Sequence, residues 1–165
     1  MSDLKYLNNE GSFGVVITDK MVSDIFEKCK DSYPNETGGI LIGQYSSDLN
    51  FAHITIVTGA PRDSKMGKRW FHRGTSGLQR ILDEAWDEQG DYYLGEWHYH
   101  PGGAPEPSFY DNKEMKEISN NKNYKCPEPI LVIAGHVSSS KLDIGVYVFF
   151  QDKYIPLQKK RFSDC

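Results

Sequence analysis

Apolar positions along this chain recur with two periods, alternation and the helical repeat, and their order predicts a mixed domain. FGVVIT (13–18) is a short apolar strand, and Thr18 can cap a following helix in which Met21, Ile25, Phe26 and Cys29 share one face. That helix stops before Pro34. TGGILIGQY (37–45) is an apolar run opened by two glycines, and FAHITIVTGA (51–60) alternates, so the two should pair as antiparallel strands. Residues 61–73 are polar and basic, lack a period, and read as a loop.

Leu78, Ile81, Leu82, Ala85 and Trp86 restore helical spacing, predicting an amphipathic helix over 75–89 that Gly90 ends. A strand over 92–100, a Gly/Pro-rich loop over 101–107, a helix from Ser108, and strands at 129–136 and 143–150 follow. The pattern is that of a single α+β domain spanning 1–165, with its core about 13–150. A polar N-terminal arm precedes that core, and a basic tail from Gln151 follows as a surface strand or loose end, carrying Lys153, Lys159, Lys160 and Arg161. No internal repeat or low-complexity segment interrupts it.

Composition narrows the function classes. Hydrophobic residues at 38% and charged residues at 25% are those of a globular chain that buries a core. With 19 Lys plus Arg against 23 Asp plus Glu, the net charge of -4 lacks the basic excess of a nucleic-acid binder. No membrane span or secretory leader is visible, so a cytoplasmic protein without a membrane partner is expected. Cys29, Cys126 and Cys165 lack paired short spacing and read as ordinary thiols; Cys165, the last residue, cannot begin a prenylation box. Nothing in the pattern fixes an oligomeric state.

The chemistry concentrates in three short motifs. GEWHYHP puts His98 and His100 two apart on a strand, so both imidazoles leave the same face, as joint ligation of one metal requires. Alone, such a pair is better explained by packing or solvation. SFYD adds a helix start at which Ser108 caps and Asp111 is the third helical residue, bringing a carboxylate back toward the histidine strand after a six-residue loop. A capping box explains those two residues equally well. Two imidazoles and a carboxylate nevertheless suit catalytic zinc, leaving a fourth tetrahedral position for water. Glu36, just before TGGILIG, is the candidate general base for that water, against the alternative of an exposed loop glutamate.

Together, ETGGILIG, GEWHYHP and SFYD resemble the JAB/JAMM (MPN-plus) metallopeptidase family over roughly residues 13–150. The resemblance implies a cytidine-deaminase-like domain with a curved, mixed, mostly antiparallel sheet flanked by helices. It implies one Zn2+ per chain held by His98, His100 and Asp111, Glu36 as base, and Ser108 as hydrogen-bond donor to the tetrahedral intermediate. Within the family the chain looks like the small bacterial members, most closely the deconjugating peptidases of CBASS antiphage operons. The partner so implied is a protein with an extended C-terminal tail, a ubiquitin-like protein or a cGAS-like nucleotidyltransferase in conjugate form.

Two other readings share these residues: a peptidase that processes a sulfur-carrier, phage or cell-wall protein, and a non-catalytic interaction module. Outside the motifs, Glu96 shares the face of His98 and could orient a ligand, point into solvent or pair with a Lys. Trp97 and Tyr99 face the opposite way, as core. Arg69, Phe71 and Arg73 could line the approach of a peptide, or belong to a plain soluble surface, and His53, His72 and His136 are structural or surface residues.

Overall fold

The computed structural model describes residues 2–160. Thr18 caps the first helix, its hydroxyl accepting from the Met21 amide at 3.2 Å. In chain order the elements are β1 (Asp3–Leu7), β2 (Gly14–Thr18), α1 (Asp19–Ser32), β3 (Gly38–Tyr45), β4 (Phe51–Val57), β5 (Lys65–Gly67), β6 (Trp70–His72) and α2 (Leu78–Gln89). Then come β7 (Tyr92–His100), α3 (Phe109–Asn120), β8 (Ile130–Ser138), β9 (Lys141–Phe150) and β10 (Lys153–Lys159).

Eight strands close into a barrel in the order β1-β10-β9-β8-β7-β3-β4-β2 and back to β1. Only β7 with β8 and β2 with β4 run parallel, so the expected mixed, mostly antiparallel sheet forms, but it closes. Closure gives both ends a place, and of the two readings of the tail it is the strand that forms. The polar arm supplies β1 and the basic tail supplies β10, paired through Tyr6 with Lys159 and Leu7 with Gln158. Both strands hold one or two inward apolar residues, Tyr6 and Leu157, among polar neighbours, so neither stands out from composition. Arg161 and Cys165 lie outside the described residues.

Residues 61–73, read as a loop, contain the β5–β6 hairpin, whose turn is the two exposed residues Lys68 and Arg69. Its strands are three residues each and mostly charged or aromatic, too short to register as alternation.

The barrel interior is filled by Val15, Ile17, Leu41, Ile54, Leu94, Trp97, Tyr99, Ile130 and Val132, and α1 adds Ile25 and Cys29 to the same cluster. Outside the barrel, α2 lays Leu78 and Ala85 on Ile40 and Ile42, while α3 lays Met115 and Ile118 on Leu131, Ile133, Tyr147 and Phe149. Between these two covered areas β7 presents its outer face to a cleft.

A bulge decides which residues reach that face. Pairing of β3 with β7 shifts between Leu41, opposite Gly95, and Ile42, opposite Tyr93, leaving Leu94 as the extra residue. Before it Leu94 points inward and Tyr93 outward; beyond it Trp97 and Tyr99 point inward. Glu96, His98 and His100 then follow on the outer face. Gly95 is required there, because a Cβ would collide with the Ile130 carbonyl of β8.

Candidate active site

His98 and His100 enter the cleft from the last residues of β7, and Asp111 meets them from the first turn of α3. The path between them is fixed. Gly103 donates to the His100 carbonyl at 3.1 Å and accepts from the His136 amide at 2.7 Å, and the Tyr147 hydroxyl donates to the Pro105 carbonyl at 2.6 Å. Ser108 then starts α3 in a capping box: its Oγ accepts from the Asp111 amide at 3.1 Å, and its own amide donates to Asp111 Oδ2 at 2.7 Å.

The Asp111 carboxylate carries the site's electrostatics. Its Oδ1 lies 2.7 Å from His98 Nδ1 and its Oδ2 lies 3.1 Å from His100 Nε2. Burial works against the charged carboxylate, but the hydrogen bonds from His100 and His98 prevail and hold it well below the usual carboxylate range. His98 is the reciprocal case. Burial, the largest single influence, disfavours its cation, yet the hydrogen bond and charge of Asp111 together with the charges of Glu114 and Glu96 raise it to about 8. His98 Nε2 is buried with no hydrogen-bond partner among the described residues, its nearest acid being Glu114 at 3.9 Å.

As the side chains stand, they bond to one another, and among the described residues no three His, Cys, Asp or Glu groups are spread as a coordination shell. The donor set itself fits zinc: two imidazoles and a carboxylate converge within hydrogen-bonding distance, and one buried imidazole nitrogen lacks a partner.

Glu36 faces this cluster from the segment leading into β3. Its amide donates to the Gly67 carbonyl at 2.8 Å, which ties it to the β5–β6 hairpin. Burial raises its carboxyl above the ordinary value; Asp111 adds to the rise, and the two histidines oppose it. Two residues further along the chain, Gly38 lies opposite His98 in the register. A Cβ there would strike the Trp97 carbonyl and come within 2.8 Å of the Phe71 ring and 3.0 Å of the His98 ring. The missing side chain lets Phe71 pack edge-on against His98, ring centroids 5.8 Å apart.

Glu36, His98, His100, Ser108 and Asp111 thus share a cleft of about 740 Å3. Arg69, Trp70, Phe71 and His72 of the hairpin form one wall, and Tyr110, Lys113, Glu114 and Glu117 of α3 the other. His72, expected as a structural or surface residue, is exposed, and it stands in this wall. The α3 residues are absent from the sequence reading, although 113, 114 and 117 follow Tyr110 at i+3, i+4 and i+7. Arg73 does not line the cleft. It is buried against Glu96, Nε to Oε2 at 2.7 Å, with 7% and 0% of the two side chains exposed. Burial raises the Glu96 carboxyl, and the Arg73 charge and hydrogen bond oppose that rise. Glu96 therefore neither enters solvent nor meets a Lys.

The family described as prokaryotic homologs of the JAB domain matches residues 18–145. Three curated relatives are each named CD-NTase/cGAS isopeptidase. That of Enterobacter hormaechei subsp. hoffmannii is 41% identical over 135 residues, covering 82% of this chain and 74% of the relative. That of Pseudomonas aeruginosa is 31% identical, covering 59% and 62%, and that of Escherichia coli 28% identical, covering 68% and 72%. The fold is similar to that of a Desulfitobacterium hafniense protein solved in solution, with a TM-score of 0.62 and 17% identity over 86% of this chain and 88% of that one. No helix among the described residues is long and apolar enough to cross a membrane.

Proposed function

Because the chain belongs to the prokaryotic JAB family, we propose that it is a zinc-dependent isopeptidase acting in the cytoplasm in CBASS antiphage defence. It would free a CD-NTase, a cGAS-like nucleotidyltransferase, from proteins joined to that enzyme's C-terminus. The observation that carries this reading is the convergence of Glu36, His98, His100, Ser108 and Asp111 on one cleft. The choice of substrate is supported by 41% identity to a CD-NTase/cGAS isopeptidase.

His98, His100 and Asp111 are the residues that would hold the zinc. When bound, zinc supplies a Lewis acid that polarises the scissile carbonyl and lowers the pKa of water toward about 7. Glu36 takes the proton of the attacking water and delivers it to the leaving amine; its half-buried carboxylate, raised by desolvation, is the better proton acceptor for it. Ser108 Oγ accepts from the Asp111 amide, and its hydroxyl proton is left to donate to the developing oxyanion. The two walls of the cleft hold the tail extended, largely through backbone contacts.

Glu36→Ala should retain zinc by metal analysis and lose roughly 10²–10⁴ in turnover of a purified CD-NTase conjugate. Full activity in that variant would refute the assignment. Zinc bound by the wild-type chain without cleavage of any C-terminal fusion would favour a non-catalytic module.

A further inference from the structure

The β5–β6 hairpin is a thin wall. Its strands are three residues long, and an isolated two-stranded hairpin is marginal in water, so its place beside the histidines has to come from attachments. Besides the Ser32 hydroxyl, which donates to Met66 Sδ at 3.9 Å, and the packing of Phe71 on His98, the structure anchors it at both ends. At the end of β5 the Gly67 carbonyl accepts from the Glu36 amide at 2.8 Å. Immediately after β6, Arg73 turns back into the protein and meets Glu96 of β7.

The second attachment is the more elaborate. Arg73 spends Nε on Glu96 Oε2, Nη1 on the Gly74 carbonyl at 2.9 Å and Nη2 on the Tyr124 hydroxyl at 3.1 Å. The Tyr93 hydroxyl donates to the remaining Glu96 oxygen at 2.7 Å. Tyr93 and Glu96 stand three apart on one strand yet meet on the same face because the bulge at Gly95 lies between them. A buried guanidinium and carboxylate in which every nitrogen and both oxygens have a partner is a poor source of net stability and a strong geometric constraint. Glu96 is also two residues before His98 on the same face, so whatever fixes Arg73 fixes the hairpin relative to the histidine strand.

We propose that the Arg73–Glu96 pair is a positioning clamp: it holds the β5–β6 hairpin against β7 and so sets the width of the cleft that receives the substrate tail. The two residues touch neither substrate nor metal; they act through Phe71, which packs on His98, and through Arg69, Trp70 and His72 in the wall. The substrate part of the proposal rests on the isopeptidase reading, whereas the clamp itself does not.

The test pairs Arg73→Met with Glu96→Gln, since either residue removed alone leaves its partner's charge buried and unpaired. The double variant keeps an acceptor for Tyr93. In it, amide exchange over residues 65–72 should accelerate while α3, β8 and β9 exchange as in the wild type. With conjugate, KM should rise on the order of tenfold and kcat fall by less than that. Should the double variant not fold, Arg73→Lys serves instead, keeping the charge but losing the fork, with the same effects at smaller size. Wild-type exchange over 65–72 in either folded variant overturns the clamp. Accelerated exchange beside an unchanged KM overturns its role in substrate binding. If the wild-type chain cleaves no conjugate, the isopeptidase reading falls, and the exchange measurement still decides the clamp.

Discussion

The two faces of β7 are one residue apart in sequence and opposite in what they contribute. Trp97 and Tyr99 point into the barrel, where Trp97 is 0% exposed and spends its indole N–H on the Thr58 carbonyl at 2.8 Å. His98, 3% exposed, is buried almost as deeply, yet its partners are an acid and an aromatic edge, and its Nε2 has no hydrogen-bond partner among the described residues. Burial alone therefore says little about role. The inner face is satisfied and apolar, and the outer face keeps unspent hydrogen-bonding capacity.

The largest effect that separates the faces should come from Trp97→Ala, which empties a closed apolar site and should cost about 3–5 kcal/mol of stability, read by denaturant unfolding. A near-wild-type midpoint would mean the inner face is not the core. Next, Ser108→Gly should cost only a few tenths of a kcal/mol in stability, because Gly is a tolerable N-cap, while turnover falls about a hundredfold through loss of the oxyanion donor. Equal losses in both measurements would reduce Ser108 to a cap. Smallest, Arg69→Glu at the exposed hairpin turn should leave the melting temperature unchanged and raise KM a few-fold with little change in kcat, measured on the conjugate. A change in kcat alone would remove the hairpin from tail binding.

Much of this division could be read from the amino acids. The strand over 92–100 has the observed bounds, and the alternation from Glu96 to His100 assigns both faces correctly because a two-residue period survives beyond the bulge. The Ser108 cap and the place of Asp111 in the first turn follow from helix-start chemistry, which is local. What escaped is non-local. Barrel closure depends on β1 meeting β10 across the whole chain, and each strand carries too few apolar residues to announce itself. Glu96 was on the right face without its partner, since Arg73 lies 23 residues away in a segment with no period of its own. Arg69 and Phe71 were legible as cleft residues from that basic segment, whereas the hairpin that carries them, with strands of three residues, was not.

The hairpin turn has a consequence for how the protein diversifies. Lys68 and Arg69 lie beyond both attachments of the hairpin, exposed, and neither supplies a contact that holds the barrel together. A lineage can therefore exchange or lengthen these two residues without disturbing the strand that carries the histidines. Under the proposed function, substrate preference and bond-breaking chemistry would then be inherited on separate pieces of chain, and selection could revise one while the other stays fixed.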